Sequence, residues 1–341
     1  MSSKRILYID NLRVLACFLV ILTHSAMSTK EAYGFYAVIV PLVSSPSSEL
    51  FLTISGALLL PTRVRMKDFY IKRFSKLALP VLFWSIIILL ISYSAGRDSI
   101  EAILKKLVLI PLSPVTGVYW FIYTICGLYL LAPIISPWII ASTQKEYLFV
   151  ILLWLITILL PYTSFLWPDF YVIDGNYYFI LNYFGGFIGY MLLGVYLKKY
   201  PLILTKIKTI LIILFLNLFA ILPILYCYLY KRDLISTVNN NLSISSVFLV
   251  ISIFIFFQNF GFSNKKIINI IHSIARYSFG IYLVHIIIVR DVVWPLYTYV
   301  RAEPLNPLIE TPFIALFSMA LCFLVVKLIS KIPYSNYIVG V

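Results

Sequence analysis

The sequence predicts an all-α integral membrane protein, with about ten transmembrane helices in one bundle and both termini in the cytoplasm. Of its 341 residues, 62% are hydrophobic and only 12% are charged, whereas a soluble protein carries roughly 25% charged residues. The mean hydropathy is +0.99, and apolar runs long enough to cross a bilayer recur along the chain. These observations argue against a soluble enzyme, a disordered protein and a nucleic-acid-binding module.

Ten apolar segments are long enough, or nearly so, to cross a bilayer as helices. They are predicted near 12–29, 47–61, 77–95, 118–140, 147–163, 178–197, 209–229, 245–260, 277–294 and 311–330. The second segment is short and follows a broken stretch, Pro41 to Ser48, which suits a re-entrant or interfacial segment. The runs are too long for strands and do not alternate with period two. The chain is predicted to be one transmembrane domain, 1–341, whose first run is a retained helix.

The basic residues predict the orientation of these helices. The chain has 27 Lys and Arg against 13 Asp and Glu, a net charge of +14. With the N-terminus inside, 19 of the 27 basic residues fall at the cytoplasmic face and 8 fall outside. Cytoplasmic loops of membrane proteins are enriched in Lys and Arg. This distribution explains the positive charge through membrane orientation, without nucleic acid as a partner.

Two of the three histidines, His24 and His285, lie within predicted spans. An ionisable side chain at membrane depth is costly, so a functional role is the first hypothesis for it. The alternative is a histidine that only forms an interhelical hydrogen bond. We favour function for His24 and leave both interpretations open for His285.

The spacing of Arg13 and His24 predicts a site along the first helix. Eleven residues place the two side chains on nearly the same helical face, about 16 Å apart along the axis. Arg13 would lie at the cytoplasmic edge and His24 deep in the bilayer. A cation at the surface and a base in the interior suit acyl-coenzyme A, which has anionic phosphates at one end and a thioester at the other. Asp10, three residues before Arg13, could orient its guanidinium by an ion pair.

Two further segments are candidates for the site. Ser278, Tyr282 and His285 are spaced four and three apart, so they line one helical face; a pocket lining and interhelical hydrogen bonding both explain this pattern. The loop from Arg63 to Lys76 holds six bases and one acid. It suits either the nucleotide end of coenzyme A or anionic lipid head groups, and Arg73 and Lys76 are its candidate donor-binding residues.

Other patterns argue against several kinds of site. The four cysteines lie in apolar runs without CxxC pairs, which predicts packing residues rather than disulfides or metal ligands. No metal-binding spacing, Gly-rich phosphate loop or nucleophile elbow occurs. The outer loop Phe165 to Tyr178 carries six aromatic residues and two acids, which an interfacial aromatic belt explains at least as well as sugar binding.

Several motifs together resemble the membrane-bound acyltransferase 3 family, along almost the whole chain. The Arg-to-His spacing and the late Ser-Phe-Gly-Ile-Tyr-Leu-x-His segment are the more specific of them. The matching segments are Tyr8-Ile9-Asp10-Asn11-Leu12-Arg13 with His24, Phe51 to Gly56, Lys72-Arg73-Phe74 with Pro80 and Trp84, Tyr119 to Tyr123, and Ser278 to His285.

The resemblance implies a multi-pass O-acyltransferase of the bacterial inner membrane. Such enzymes transfer an acyl group, often acetyl, from cytoplasmic acyl-CoA to a hydroxyl of a surface glycan or lipid-linked sugar. His24 would be the general base, His285 a second catalytic candidate, and Arg13, Arg73 and Lys76 would bind the donor. The supporting or substrate-binding candidates are Asp10, Ser55, Trp120, Tyr123, Ser278 and Tyr282. No metal is implied, and the expected partners are acyl-CoA, the glycan acceptor and membrane lipids.

One departure and two alternatives stay open at this point. Many relatives carry a Glu-Glu pair just after the tryptophan near the fourth helix, whereas Trp120 to Leu131 contains no acid. This departure resembles the branch that acts on surface polysaccharides, and it leaves open whether a carboxylate assists His24. The alternatives are a transporter or flippase of glycan or lipid-linked intermediates, and a sensor that binds coenzyme A without turnover.

Overall fold

A computed structural model describes residues 6–26, 42–165, 181–231, 234–300 and 306–340. These residues form helices, turns and irregular segments and contain no strand. Eight helical segments, some counted together with an adjoining turn, are long and apolar enough to cross a membrane, and the second of them is Leu42–Leu59. The predicted all-α integral membrane fold is therefore confirmed.

The helices are numbered here in chain order. They are α1 (Leu7–Ser25), α2 (Ser47–Leu59), α3 (Met66–Ser94), α4 (Ile100–Leu109), α5 (Trp120–Ala141), α6 (Gln144–Leu159), α7 (Ile188–Lys199), α8 (Lys206–Tyr230), α9 (Ile235–Val238), α10 (Ile244–Asn259), α11 (Lys265–Ile287), α12 (Trp294–Val300), α13 (Pro307–Ile329) and α14 (Asn336–Val339). A π-helical segment, Ile288–Val293, joins α11 to α12.

Three helices begin well before the spans predicted from hydropathy. α1 begins at Leu7 rather than 12, α3 at Met66 rather than 77, and α11 at Lys265 rather than 277. The additional turns carry charged residues, so an apolar run detects only the later part of each helix. The prediction that Arg63 to Lys76 forms a loop is therefore wrong beyond Arg65, and Arg73 and Lys76 lie within α3.

Two predicted spans correspond to shorter helices. The sixth, near 178–197, overlaps α7, which has 12 residues, and the eighth, near 245–260, overlaps α10, which has 16. At 1.5 Å per residue, α10 is about 24 Å long, somewhat less than a hydrocarbon core of about 30 Å. The outer loop Phe165 to Tyr178 lies almost wholly outside the described residues.

The chain forms two compact units. The first comprises Met1–Pro61 and Ser136–His272, and the second comprises Thr62–Ile135 and Ser273–Val341. In the first unit α2 packs against both α1 and α7, and α8 packs against α10. In the second unit α3 packs against α14 and α4.

Glycines allow α2 and α7 to pack with their backbones in contact. A Cβ atom on Gly56 would lie 2.0 Å from the carbonyl oxygen of Met191, and one on Gly194 would lie 1.9 Å from that of Thr53. Small residues permit this close approach of membrane helices. Lys198 Nζ donates to the carbonyl oxygen of Ala57 at 2.6 Å, near the C-terminus of α2, where a cation is favourable.

Side-chain hydrogen bonds stabilise the second unit at two places. Trp84 Nε1 on α3 donates to the carbonyl oxygen of Ile338 on α14 at 2.9 Å. In the loop after α3, Asp98 accepts hydrogen bonds from Lys106 Nζ and Ser92 Oγ, each at 2.7 Å. These hydrogen bonds hold the pKa of Asp98 below its ordinary value, and the bond from Lys106 has the largest effect.

Candidate functional site

α1 carries Asp10, Arg13 and His24 on one uninterrupted helix. Because both residues lie on one regular helix, Arg13 and His24 are about 16 Å apart along its axis, as predicted. Both residues are half-buried, while Asp10 is buried. A cation and a titratable ring thus lie along nearly one face of the first helix.

The carboxylate of Asp10 contacts two basic side chains. Asp10 Oδ1 lies 3.8 Å from Arg13 Nη1, so the predicted ion pair is present. Asp10 Oδ2 lies 2.7 Å from His272 Nδ1 on α11. Sequence reasoning did not single out His272, because its partner is 262 residues away and its turn of α11 precedes the predicted span.

Glu49, in the first turn of α2, is a second residue that sequence reasoning missed. It is fully buried, and neither carboxylate oxygen forms a hydrogen bond of normal geometry within the described part of the chain. The Asn241 side chain approaches the carboxyl group, and Tyr190 donates to the carbonyl oxygen of Asn241 at 2.8 Å. The rule that identified His24, an ionisable group within a predicted span, also applies to Glu49.

His24 and Glu49 lie at the same end of neighbouring helices. His24 is the penultimate residue of α1, and Glu49 is the third residue of α2. α1 and α2 pack together in the first unit, and successive spans cross a membrane in opposite directions. His24 and the buried acid are therefore at one membrane face, the outer face in the predicted orientation. Ser55 lies half-buried further along α2, next to Gly56.

In the second unit, His285 belongs to a buried aromatic cluster. Its ring centroid lies 5.4 Å from that of Tyr282, which stacks on Tyr119 at 6.3 Å and contacts Phe121 at 5.4 Å. Tyr119 donates to the carbonyl oxygen of Leu283 at 2.8 Å, and Tyr282 donates to that of Val118 at 2.6 Å. Tyr119, which was matched only as part of a motif, is thus central to this cluster.

The backbone contact of His285 defines its tautomer. Nδ1 contacts the carbonyl oxygen of Tyr282, and a carbonyl can only accept, so Nδ1 carries the hydrogen. Nε2 is then the nitrogen that can accept a proton in the neutral ring. The π-helical segment begins three residues later, at Ile288, and such segments are frequent at functional sites.

The remaining aromatic and polar candidates occupy different positions in the second unit. Ser278 lies half-buried on α11, one turn before Tyr282. Trp120 begins α5 and contacts Phe121 edge-to-face at 6.3 Å. The Tyr123 hydroxyl donates to the carbonyl oxygens of residues 110 and 113, the latter at 3.0 Å. Tyr123 therefore anchors the loop that precedes α5.

The candidate donor-binding bases of the second unit lie on α3. The Arg73 guanidinium lies over the Phe69 ring, 5.6 Å from its centroid, which is a cation–π distance. Lys76 is exposed, one turn further along the helix.

The two compact units divide the predicted site residues between them. The first unit holds Asp10, Arg13, His24 and Ser55. The second unit holds Arg73, Lys76, Trp120, Tyr123, Ser278, Tyr282 and His285.

The chemistry available in the first unit is proton transfer combined with anion binding. A histidine can act as a general base, and a half-exposed arginine can bind phosphate. In the ranges that the structure describes, no group of three or more His, Cys, Asp or Glu residues could hold a metal ion.

The chain matches a known protein family. A family model described as "Acyltransferase domain" matches residues 6–327, nearly the whole chain. Neither the curated proteins nor the solved structures contain a match to this sequence.

Proposed function

Because the chain belongs to the acyltransferase 3 family and is a multi-pass membrane acyltransferase, we propose that it is an acyl-CoA-dependent O-acyltransferase. It takes an acyl group, with acetyl as the first candidate, from cytoplasmic acyl-CoA. The acceptor is a hydroxyl of a cell-surface glycan or glycolipid on the other side of the bacterial inner membrane.

The arrangement of Arg13 and His24 on α1 carries this proposal. Arg13 is 34% exposed, so its guanidinium is accessible to a phosphate of the donor. His24 lies about 16 Å further along nearly the same face, where the thioester at the end of the pantetheine arm would lie. Arg73 and Lys76 are further candidate contacts for the nucleotide.

His24 acts in this mechanism as a general base, which typically contributes about 10²–10⁴-fold to a rate. The neutral imidazole takes the proton of the acceptor hydroxyl as its oxygen attacks the thioester carbonyl carbon. The new C–O bond forms, the C–S bond breaks, and coenzyme A leaves as a thiolate. The imidazolium then returns the proton to that sulfur. A variant of this mechanism passes the acyl group through a covalent acyl-histidine.

The test is the acyl content of the surface glycan. Cells with the gene, without it and complemented with the His24→Gln variant are compared for the ratio of acyl groups to sugar. An acyltransferase lowers this ratio when the gene is lost, while the amount of glycan is maintained. A loss of surface glycan with an unchanged ratio would instead identify a transporter. Transfer of label from acetyl-CoA to glycan by the purified protein in liposomes establishes the donor.

A further inference from the structure

His272 and Arg13 share one buried carboxylate at the first-helix end of the first unit. Asp10 contacts His272 at 2.7 Å and Arg13 at 3.8 Å, each through a different oxygen. The Asp10 side chain is 4% exposed, whereas those of Arg13 and His272 are 34% and 28% exposed. The acid is therefore covered, while the two basic groups remain accessible from outside the protein.

The position of His272 on α11 adds a third base. Lys265 precedes His272 by seven residues, so the two side chains lie on nearly one face of the helix, about 10 Å apart along its axis. Lys265 is exposed. Residues 260–272 contain Lys265, Lys266 and His272 but no acid, and they include the N-terminus of α11, where the helix dipole also favours an anion.

The contact with Asp10 determines how the His272 ring can be used. A carboxylate oxygen accepts a hydrogen bond, so Nδ1 carries a hydrogen, and Nε2 is the nitrogen that can contact a ligand. In the protonated ring Nε2 is a charged donor. A charged donor beside the guanidinium of Arg13 suits a phosphate group, because charge-assisted hydrogen bonds are the stronger ones.

We propose that His272 is a donor-binding residue which, with Arg13, contacts the phosphates at the nucleotide end of the acyl donor, and that Asp10 is the positioning residue for both. The proposal rests on acyl-CoA as the donor in the proposed function. It places a donor contact from α11 beside Arg13, on the face of α11 that also carries Lys265.

The test separates the nucleotide end of the donor from its acyl end. Acetyl-CoA, adenosine 3′,5′-bisphosphate and S-acetylpantetheine are each titrated against wild-type protein, His272→Gln and the control Ile270→Gln, which changes an exposed residue on the opposite side of the same helix. His272→Gln should weaken binding of the first two probes by about tenfold, equal to about 1.4 kcal/mol, and leave acetylpantetheine unaffected. KM for acetyl-CoA should rise while kcat at saturating donor is kept.

Other outcomes contradict the proposal in recognisable ways. Unchanged affinity of His272→Gln for the bisphosphate would show that the Asp10–His272 contact only joins two helices, as would an equal loss for all three probes. If His272→Gln does not fold, the deciding variant is Lys265→Gln, which changes an exposed residue. It should weaken bisphosphate binding several-fold, and less so at high salt, whereas unchanged binding overturns the site. A wild-type protein that transfers no acyl group from acetyl-CoA and binds none would refute the donor of the proposed function itself.

Discussion

His24 is the residue on which the proposed chemistry depends most directly. Replacement by glutamine retains a hydrogen-bonding side chain but removes the capacity to take a proton at neutral pH. His24→Gln should therefore reduce acyl transfer by about 10²–10⁴-fold while the protein still inserts, purifies and binds donor. A histidine used only for packing should be replaceable at about 0.6 kcal/mol, the average for an interhelical hydrogen bond in a bilayer.

His285→Gln is the matched comparison for this experiment. His285 is fully buried within the aromatic cluster of Tyr282 and Tyr119, so we expect partial activity from its glutamine variant. Acyl transfer is measured with labelled acetyl-CoA, and folding is monitored by thermal unfolding. An active His24→Gln protein would exclude His24 as the base and would make His285 the first candidate.

Glu49 is a buried acid that the structure places at the same end of the first two helices as His24. Glu49→Gln removes the ionisable group and keeps the shape, so burial no longer carries the cost of an ionisable group. We expect the melting temperature to be maintained or raised while acyl transfer falls by about tenfold or more. The control is Glu310→Gln, because Glu310 is also buried but accepts a hydrogen bond from Tyr297 at 3.0 Å. Wild-type activity in Glu49→Gln would restrict Glu49 to a structural role.

The residues that sequence reasoning placed correctly are those related by local periodicity. Arg13 and His24 lie on one helix, as do Ser278, Tyr282 and His285, because helical spacing is readable within a dozen residues. The partnership of Asp10 with His272 joins residues 262 positions apart. No pattern in a single sequence encodes that distance, so the fold alone shows it.

At the scale of helices, the packing of α2 against α7 gives a sharp prediction. A methyl group on Gly56 would overlap the backbone of Met191 at 2.0 Å, so the two helices must separate to accept it. Gly56→Ala should destabilise the protein by about 1–3 kcal/mol, as overpacking typically does. The measurement is thermal unfolding in detergent.

Gly127→Ala is the control for this substitution. Gly127 also lies within a helix, α5, but is exposed, and its added methyl group would meet nothing within 4 Å. Since alanine has a higher helix propensity than glycine, the stability of the Gly127→Ala protein should be unchanged or slightly raised. Equal melting temperatures for the two alanine variants would contradict close α2–α7 packing.

The helices also show where hydropathy fails to define an element. Apolar runs located the later parts of α1, α3 and α11 but not their earlier turns, since those turns carry charged or titratable residues such as Asp10, Arg73 and His272. These amphipathic turns hold four of the donor-binding and positioning candidates, the fourth being Lys76. A search confined to apolar segments therefore loses part of the site.

At the scale of the whole chain, the Asp10–His272 contact constrains the membrane topology. It brings the first turns of α1 and α11 to one membrane face, so the two helices cross in the same direction and an odd number of crossings separates them. Five long helical segments lie between them. The shorter helices α7 and α10 must therefore both cross, giving ten spans, or both not cross, giving eight.

The basic residues decide between these topologies. Lys198, Lys199, Lys206 and Lys208 surround the segment 200–205, and such clusters favour the cytoplasmic side. With ten spans, segment 200–205 is cytoplasmic and the segment after α8 is outside. With eight spans, segment 200–205 is outside and the segment after α8 is cytoplasmic. We therefore expect ten spans, with α7 and α10 crossing.

Cysteine labelling tests this topology directly. After the four native cysteines are replaced by alanine, Ile203→Cys and Ser236→Cys each introduce one exposed thiol. An impermeant maleimide added to intact cells should label residue 236 but reach residue 203 only after the membrane is opened. The reversed pattern would establish eight spans and move Lys206 and Lys208 outside. Labelling of both thiols, or of neither, in intact cells would contradict the parity that the Asp10–His272 contact imposes, because α8 must separate the two positions across the membrane.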